Sequence, residues 1–172
     1  MFTVDLTPRS FDDYFRYDFP RLTGFMVRLG ASVQEAEDVA QQAMLDLFRH
    51  WADVSAPEAY ARIAAKRIYL RSRNNVKRER EAIQVNWTQH ANHLSFTGDV
   101  EYVMGLLTSL PTEQREVMAW TIDGYEPSEI AELTGRTAST VRSHLRHARK
   151  KLGQAIAQRN DEPTRKEEDD DG

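Results

Sequence analysis

The chain has 172 residues, room for one or two small domains, and 40% of them are apolar, enough for a modest core. It has no cysteine, which excludes disulfides and cysteine-ligated zinc and fits a reducing compartment. A net charge of −4 would argue against a polyanion partner if charge were evenly spread, but residues 62–80 hold eight bases and one acid, and residues 136–151 hold six bases and no acid. The N-terminus lacks the basic start and apolar run of a signal peptide, and no apolar stretch approaches the roughly 20 residues that span a bilayer. A soluble, cytoplasmic protein is expected.

Residues 1–9 read as a frayed arm. From Ser10, the spacing of Phe11, Tyr14, Phe15, Phe19, Leu22, Phe25, Met26 and Leu29 predicts a helix with a broad apolar face. Pro20 either kinks it or begins a new segment, and Gly30 ends it. Ser32 with Glu35 forms a capping-box pattern that opens a second helix, running to about Trp51. Val39, Ala43 and Leu47 face inward there, with Ala40, Met44 and Phe48 beside them, while Glu37, Asp38, Gln41, Gln42 and Asp46 lie off that stripe.

After a loop over residues 52–57, a long helix is predicted from Glu58 to about Glu79. Tyr60, Ile63, Ala64 and Ile68 give it apolar spacing, with Tyr69 at the edge of that set, and bases fill most of the remaining surface. Residues 82–98 are polar and aperiodic, and they read as a flexible linker. About 20 such residues span roughly 25 Å on average and about 65 Å when fully extended. Helical pattern resumes at Val100. Leu110-Pro111 breaks it, Thr112 is expected to cap the next helix, and Gly124 ends that one. Pro127 is suited to the first position of the following helix.

Residues 128–152 have the layout of a helix-turn-helix. Ile130, Ala131 and Leu133 give the first helix its apolar side, Gly135 supplies the turn, and Thr137 can cap the second helix. Val141, Leu145, Ala148, Leu152 and Ile156 then form one buried stripe. The other faces of that helix carry Arg142, Ser143, His144, Arg146, His147, Arg149, Lys150 and Lys151, as a DNA-reading helix requires. Past about residue 158 the composition becomes too polar and acidic to pack. The fold class expected is all-α: two small helical domains, 10–80 and 100–158, joined by a flexible linker over 81–99 and followed by a disordered acidic tail over 159–172. Neither a metal cluster nor a cofactor motif is apparent; His144 and His147 have helical metal spacing but no further ligand nearby.

These residues resemble the extracytoplasmic-function sigma factors of bacteria. The pieces that carry the likeness to region four are Leu110-Pro111, Gln114-Arg115-Glu116-Val117, Asp123-Gly124, Glu129-Ile130-Ala131 and Thr140-Val141-Arg142-Ser143. Ala36-Glu37-Asp38-Val39 with Gln41 and Leu45 resembles region two. The resemblance implies a non-enzymatic subunit that binds core RNA polymerase and promoter DNA, and the family is often held by an anti-sigma factor. It implies docking on the β′ coiled coil and the β flap, with Glu37, Asp38, Gln41, Gln42 and Leu45 on the core-binding surface. Recognition of the minus-thirty-five element falls to Arg136, Thr137, Ser139, Thr140, Arg142, Ser143, His144, Arg146, His147, Arg149 and Lys150.

For the minus-ten element the candidates are Tyr60, Arg62, Lys66, Arg67, Tyr69, Arg71 and Arg73, with the tyrosines stacking on unpaired bases. This set rests on charge and aromaticity, because Lys66 and Leu70 stand where the family carries Asn and Asp. Gln42 and Met44 also depart from the family's usual Glu and Phe. The rival readings are a sigma-like adaptor without promoter opening, a free-standing helix-turn-helix regulator, and an enzyme carrying a DNA-binding module. The regulator would need a dimer interface, and no sustained heptad is present. The enzyme would need a phosphate loop or nucleophile constellation, and none is present.

Overall fold

The computed structural model describes residues 10–82 and 98–161. The N-terminal arm, the linker core with Trp87, His90 and His93, and the acidic tail beyond Asp161 lie outside the described residues. Seven helices and no strand are found among those described.

Helix α1 spans Phe11–Arg28. Ser10 caps it: its hydroxyl oxygen accepts from the Asp13 N–H at 3.2 Å and donates to the Asp13 carboxylate at 2.8 Å. Pro20 lies inside the helix without ending it. The buried positions are Tyr14, Asp18, Leu22, Phe25, Met26 and Val27, one stripe at helical spacing with an acid in its middle. Gly30 then turns the chain at φ 102°, a backbone angle that favours glycine.

Helix α2, Val33–Arg49, begins with the expected capping box: Ser32 and Glu35 exchange side-chain-to-backbone bonds of 2.8 and 3.2 Å. Its buried face is Ala36, Val39, Ala40, Ala43, Met44 and Leu47. Helix α3, Pro57–Ala82, packs mainly on α2 and presents Ala61, Ala64 and Ala65 to the core. Small residues on both helices permit close approach of the two backbones. Helices α1 to α3 form the first bundle. Phe48, expected among the inward residues, is 57% exposed and only edges onto Phe11, with ring centroids 4.9 Å apart.

The second bundle comprises α4 (Gly98–Thr108), α5 (Thr112–Ile122), α6 (Pro127–Thr134) and α7 (Ala138–Asp161). The ordered helices therefore enter the expected linker by two residues at each end, α3 through Ala82 and α4 from Gly98. Thr112 is not the cap expected: Pro111 occupies that position with extended ψ, and no side chain caps α5. Pro127 opens α6, and the Glu129 carboxylate accepts from the Glu126 N–H at 2.7 Å. Gly135 ends α6 in the left-handed region at φ 67°. Thr137 caps α7 through its hydroxyl oxygen, which accepts from the Thr140 N–H at 3.2 Å. Val141, Leu145 and Ala148 are buried, Leu152 is half-buried and Ile156 is 45% exposed, so the stripe of α7 fades along its last turns.

The two bundles are packed against each other. Helix α1 lies on α4 and α5, and a single apolar core runs through Phe25, Met26, Val117, Trp120, Ile130 and Val141. Phe25 meets Trp120 edge-on across the seam at 4.9 Å, and Trp120 meets Tyr125 in the same way.

Candidate nucleic-acid interface

Helix α7 owes its free surface to its short apolar stripe. Arg142, Arg146, His147, Arg149 and Lys150 are exposed, as are Thr137, Ser139 and Thr140 at its start; Ser143 and His144 are half-exposed. Eight of the expected minus-thirty-five residues thus lie in solvent. Arg142, Arg146 and Arg149 share one flank and line a groove of about 570 Å³ against Tyr125 and Glu126 of the α5–α6 turn. Burial raises the Tyr125 pKa to about 12, so its phenol stays neutral beside them. A helix edge with forked guanidiniums one and two turns apart can hold a base edge and its flanking phosphates together.

Arg136 differs from the rest of its set. It is half-buried at the turn before α7, paired with Glu113 and, at 2.9 Å, with Glu116. Burial alone would lower its pKa, but the bonds from the two carboxylates prevail and raise it.

The expected minus-ten residues divide three ways. Arg67, Arg71 and Arg73 of α3 are exposed. Tyr60 and Lys66 are half-buried: Tyr60 donates its hydroxyl to Asp46 at 2.9 Å, which raises its pKa, and Lys66 pairs with Glu116 of α5. Arg62 and Tyr69 do not lie on a free face, which corrects the expectation for both. The Tyr69 ring belongs to the core, and its hydroxyl donates to the Gly30 carbonyl at 3.0 Å while accepting from Arg73 at 2.9 Å. It falls on the same helical side as Ala61, Ala65 and Arg62, where the spacing alone put it at the edge.

Arg62 is only 3% exposed and sits in a buried network. Its Nη1 and Nη2 donate to the Asp18 carboxylate at 3.2 Å each, and its Nε donates to Asp123 across the seam. Tyr14 donates its hydroxyl to the same Asp18 at 2.6 Å, and Arg28 reaches Asp123 from the end of α1. Burial works against the Arg62 charge, yet the Asp18 and Asp123 carboxylates outweigh it and its pKa rises. Arg28 goes the other way: burial prevails over Asp123 and lowers its pKa.

Asp18 and Glu116 were not among the sequence candidates. Asp18 had a legible signal, an acid at the i+4 position from Tyr14 and the i−4 position from Leu22 on an apolar stripe. Glu116 had none, since it reads as one acid in an acidic block.

The expected polymerase-facing residues do form a surface. Glu37, Asp38, Gln41, Gln42 and Leu45 are all exposed, and at about 100° per residue they and Phe48 occupy an arc of roughly 140° on α2. Leu45 is 51% exposed, so the face carries two large apolar groups within an acidic and amide rim.

An acidic-amide helix face, an exposed basic helix and a helix-turn-helix on one chain define a DNA-binding subunit that also docks on a protein. Comparison with known proteins agrees: the family described as sigma-70 region 2 matches residues 15–79, and that described as sigma-70, region 4 matches residues 101–152. The chain belongs to the sigma-70 family and is a sigma factor of the extracytoplasmic-function type, which acts with core RNA polymerase at promoter DNA. Among solved structures, the chain is similar to the sigma factor RpoE of Bartonella quintana, in a structure with the anti-sigma factor NepR. The TM-score is 0.68 and the identity 18%, over 86% of this chain and 96% of that one, a likeness of fold. No curated protein matches the chain. No helix among the described residues is long and apolar enough to cross a membrane.

Proposed function

We propose that this sigma factor docks on core polymerase through the α2 face, Glu37 to Leu45 with Phe48, and that the acidic and amide groups meet basic side chains of the β′ coiled coil. The second bundle docks on the β flap and sets α7 in the major groove of the minus-thirty-five element. Arg142 and Arg146 read base edges there, and Thr137, Ser139, Thr140, Arg149 and Lys150 hold phosphates. The exposed bases Arg67, Arg71 and Arg73 of α3 hold the strand at the minus-ten element, with Lys66 joining them when the two bundles part. The protein works in the cytoplasm as a specificity subunit and is not an enzyme. The observation that carries this reading is the pair of family regions in order, each presenting its polar helix face to solvent. The similar sigma factor seen with an anti-sigma factor supports a regulator of that class here also.

A second reading is favoured by one observation. Lys66 and Leu70 replace the Asn and Asp of the resembled region, and Tyr69 is in the core, so few groups are left to capture an unpaired base. On this reading the chain binds polymerase but does not open promoters. Run-off transcription with core polymerase and promoter fragments tests both. Specific transcripts support the first, a stable core complex without transcripts supports the second, and DNA binding without core association defeats both.

A further inference from the structure

The outer face of α3 carries two large apolar groups that its neighbours leave uncovered: Ile63 is 40% exposed and Leu70 46% exposed. Ile63 belongs to the apolar spacing of the helix but not to its buried side, which is Ala61, Ala64, Ala65 and Tyr69. At about 100° and 1.5 Å per residue, Ile63 and Leu70 lie within roughly 20° of one line, about 10 Å apart along the axis. Arg67 and Arg71 follow one side of that line at roughly 40° and 80°, and Arg73 lies at roughly 80° on the other. All three are exposed. Arg67 rests 3.7 Å from Asp46 with 67% of its side chain in solvent, and Arg73 is steadied by the Tyr69 hydroxyl at 2.9 Å. Asn74, exposed one turn beyond Leu70, ends the line with an amide.

A solvated helix face carries polar groups at its outermost positions. A single exposed aliphatic is ordinary. Two in line, two turns apart and flanked by guanidiniums, make a surface for a ligand that is both apolar and anionic. Duplex DNA offers phosphates but keeps its base faces stacked away. A single strand offers both, phosphates for the flanking bases and ring faces for the apolar line. About 10 Å matches three stacked nucleotides at about 3.4 Å each.

We infer that Ile63 and Leu70 form a ridge on which unpaired bases of single-stranded DNA rest, with Arg67, Arg71 and Arg73 holding the phosphates, so that α3 grips the melted minus-ten strand with little regard to its sequence. The inference rests on the function proposed above and deepens it. An aliphatic side chain shields a base face from water, but it has no donor or acceptor for a base edge. Affinity for the open strand therefore comes from α3, while sequence discrimination falls to α7, whose guanidiniums can pair with base edges. A surface that binds the single strand and not the duplex favours the open promoter by that difference.

Fluorescence anisotropy of the full-length chain with labelled single strands of about 12 nucleotides, in three unrelated mixed sequences, tests this. The parent chain should bind all three within about threefold of one another. Ile63→Ser and Leu70→Ser should each weaken all three by about fivefold, near the lower end of what one stacked base contributes. Neither change removes a charge, so the slope of log affinity against log salt should stay as it is in the parent. Arg67→Ala or Arg71→Ala should instead reduce that slope by about 0.7. Leu70→Phe enlarges the stacking surface and should keep or tighten binding. Because both ridge positions are exposed, thermal melts of the variants should match the parent.

Ridge variants that bind every strand as the parent does overturn the inference, even where they lose core polymerase in gel filtration, which would mark a protein contact instead. A preference of more than about tenfold among the three sequences also overturns it, since that is the mark of base-edge readout. So does a loss in Leu70→Phe equal to that in Leu70→Ser. Promoter opening has its own readout. Run-off transcripts that are absent while strand binding follows the ridge defeat the opening reading and leave the ridge; transcripts with indifferent ridge variants do the reverse.

Discussion

Asp18→Asn tests whether the buried network is a structural keystone. Asp18 is wholly buried and carries three bonds, one from Tyr14 at 2.6 Å and two from Arg62 at 3.2 Å. An asparagine keeps one acceptor oxygen and turns the other position into a donor facing Arg62. The Arg62 guanidinium then keeps Asp123 and the Glu58 carbonyl at 3.1 Å, but its own bundle no longer neutralises it. Breaking a buried pair on one side costs about 3–5 kcal/mol. For a chain of this length about 1 kcal/mol is roughly 2–4 °C in Tm, so the variant should melt about 6–20 °C lower. Thermal melts followed by circular dichroism read this directly. Replacing the inner network together, Tyr14→Phe and Asp18→Leu with Arg62→Met, removes both charges and the hydroxyl that Asp18 accepts from, leaves Arg28 on Asp123, and should recover part of the loss, since apolar exchange of a buried pair is often neutral. A single variant within about 1 kcal/mol of the parent chain would show that Asp18 is not the group that holds Arg62, and the reasoning from burial would fail.

Further outcomes follow from the exposed faces and from Glu116. Arg142→Ala should weaken binding to a minus-thirty-five fragment by about 1–3 kcal/mol in an anisotropy titration, with core binding unchanged in gel filtration; loss of both would mean a misfolded second bundle. Leu45→Asp should reduce core association while leaving stability within about 0.5 kcal/mol of the parent, because the residue is exposed. Burial alone would raise the Glu116 pKa, but the bonds from Lys66 and Arg136 prevail and lower it from its ordinary value of 4.5. Its contribution to the stability of the packed bundles is therefore complete above about pH 4.5 and is lost as pH falls through the depressed value, with Lys66, Arg136 and Glu113 the charged groups facing it. The melting temperature should therefore fall in that acidic window more steeply in the parent chain than in Glu116→Gln; an equal fall in both would contradict the reasoning.

Much of the fold was legible because local chemistry and packing agree in this chain. Ser32 and Glu35 announce the start of α2, Pro127 and Gly135 bracket α6, and the apolar period of α7 places its polar residues outward without any knowledge of the partner. The α2 face was legible for the same reason, as the complement of a buried stripe. What failed did so where tertiary contact decides. Thr112 has the right chemistry for a cap, yet the preceding proline takes that position. Arg62 and Tyr69 have the composition of a DNA-contacting helix, but α3 packs on α2 and α1, and its inward arc includes them. Sequence charge counts cannot distinguish a base that meets solvent from one that meets an acid 61 positions away, as Arg62 meets Asp123. The seam was invisible for that reason: each of its ion pairs joins two segments that look like ordinary solvated faces.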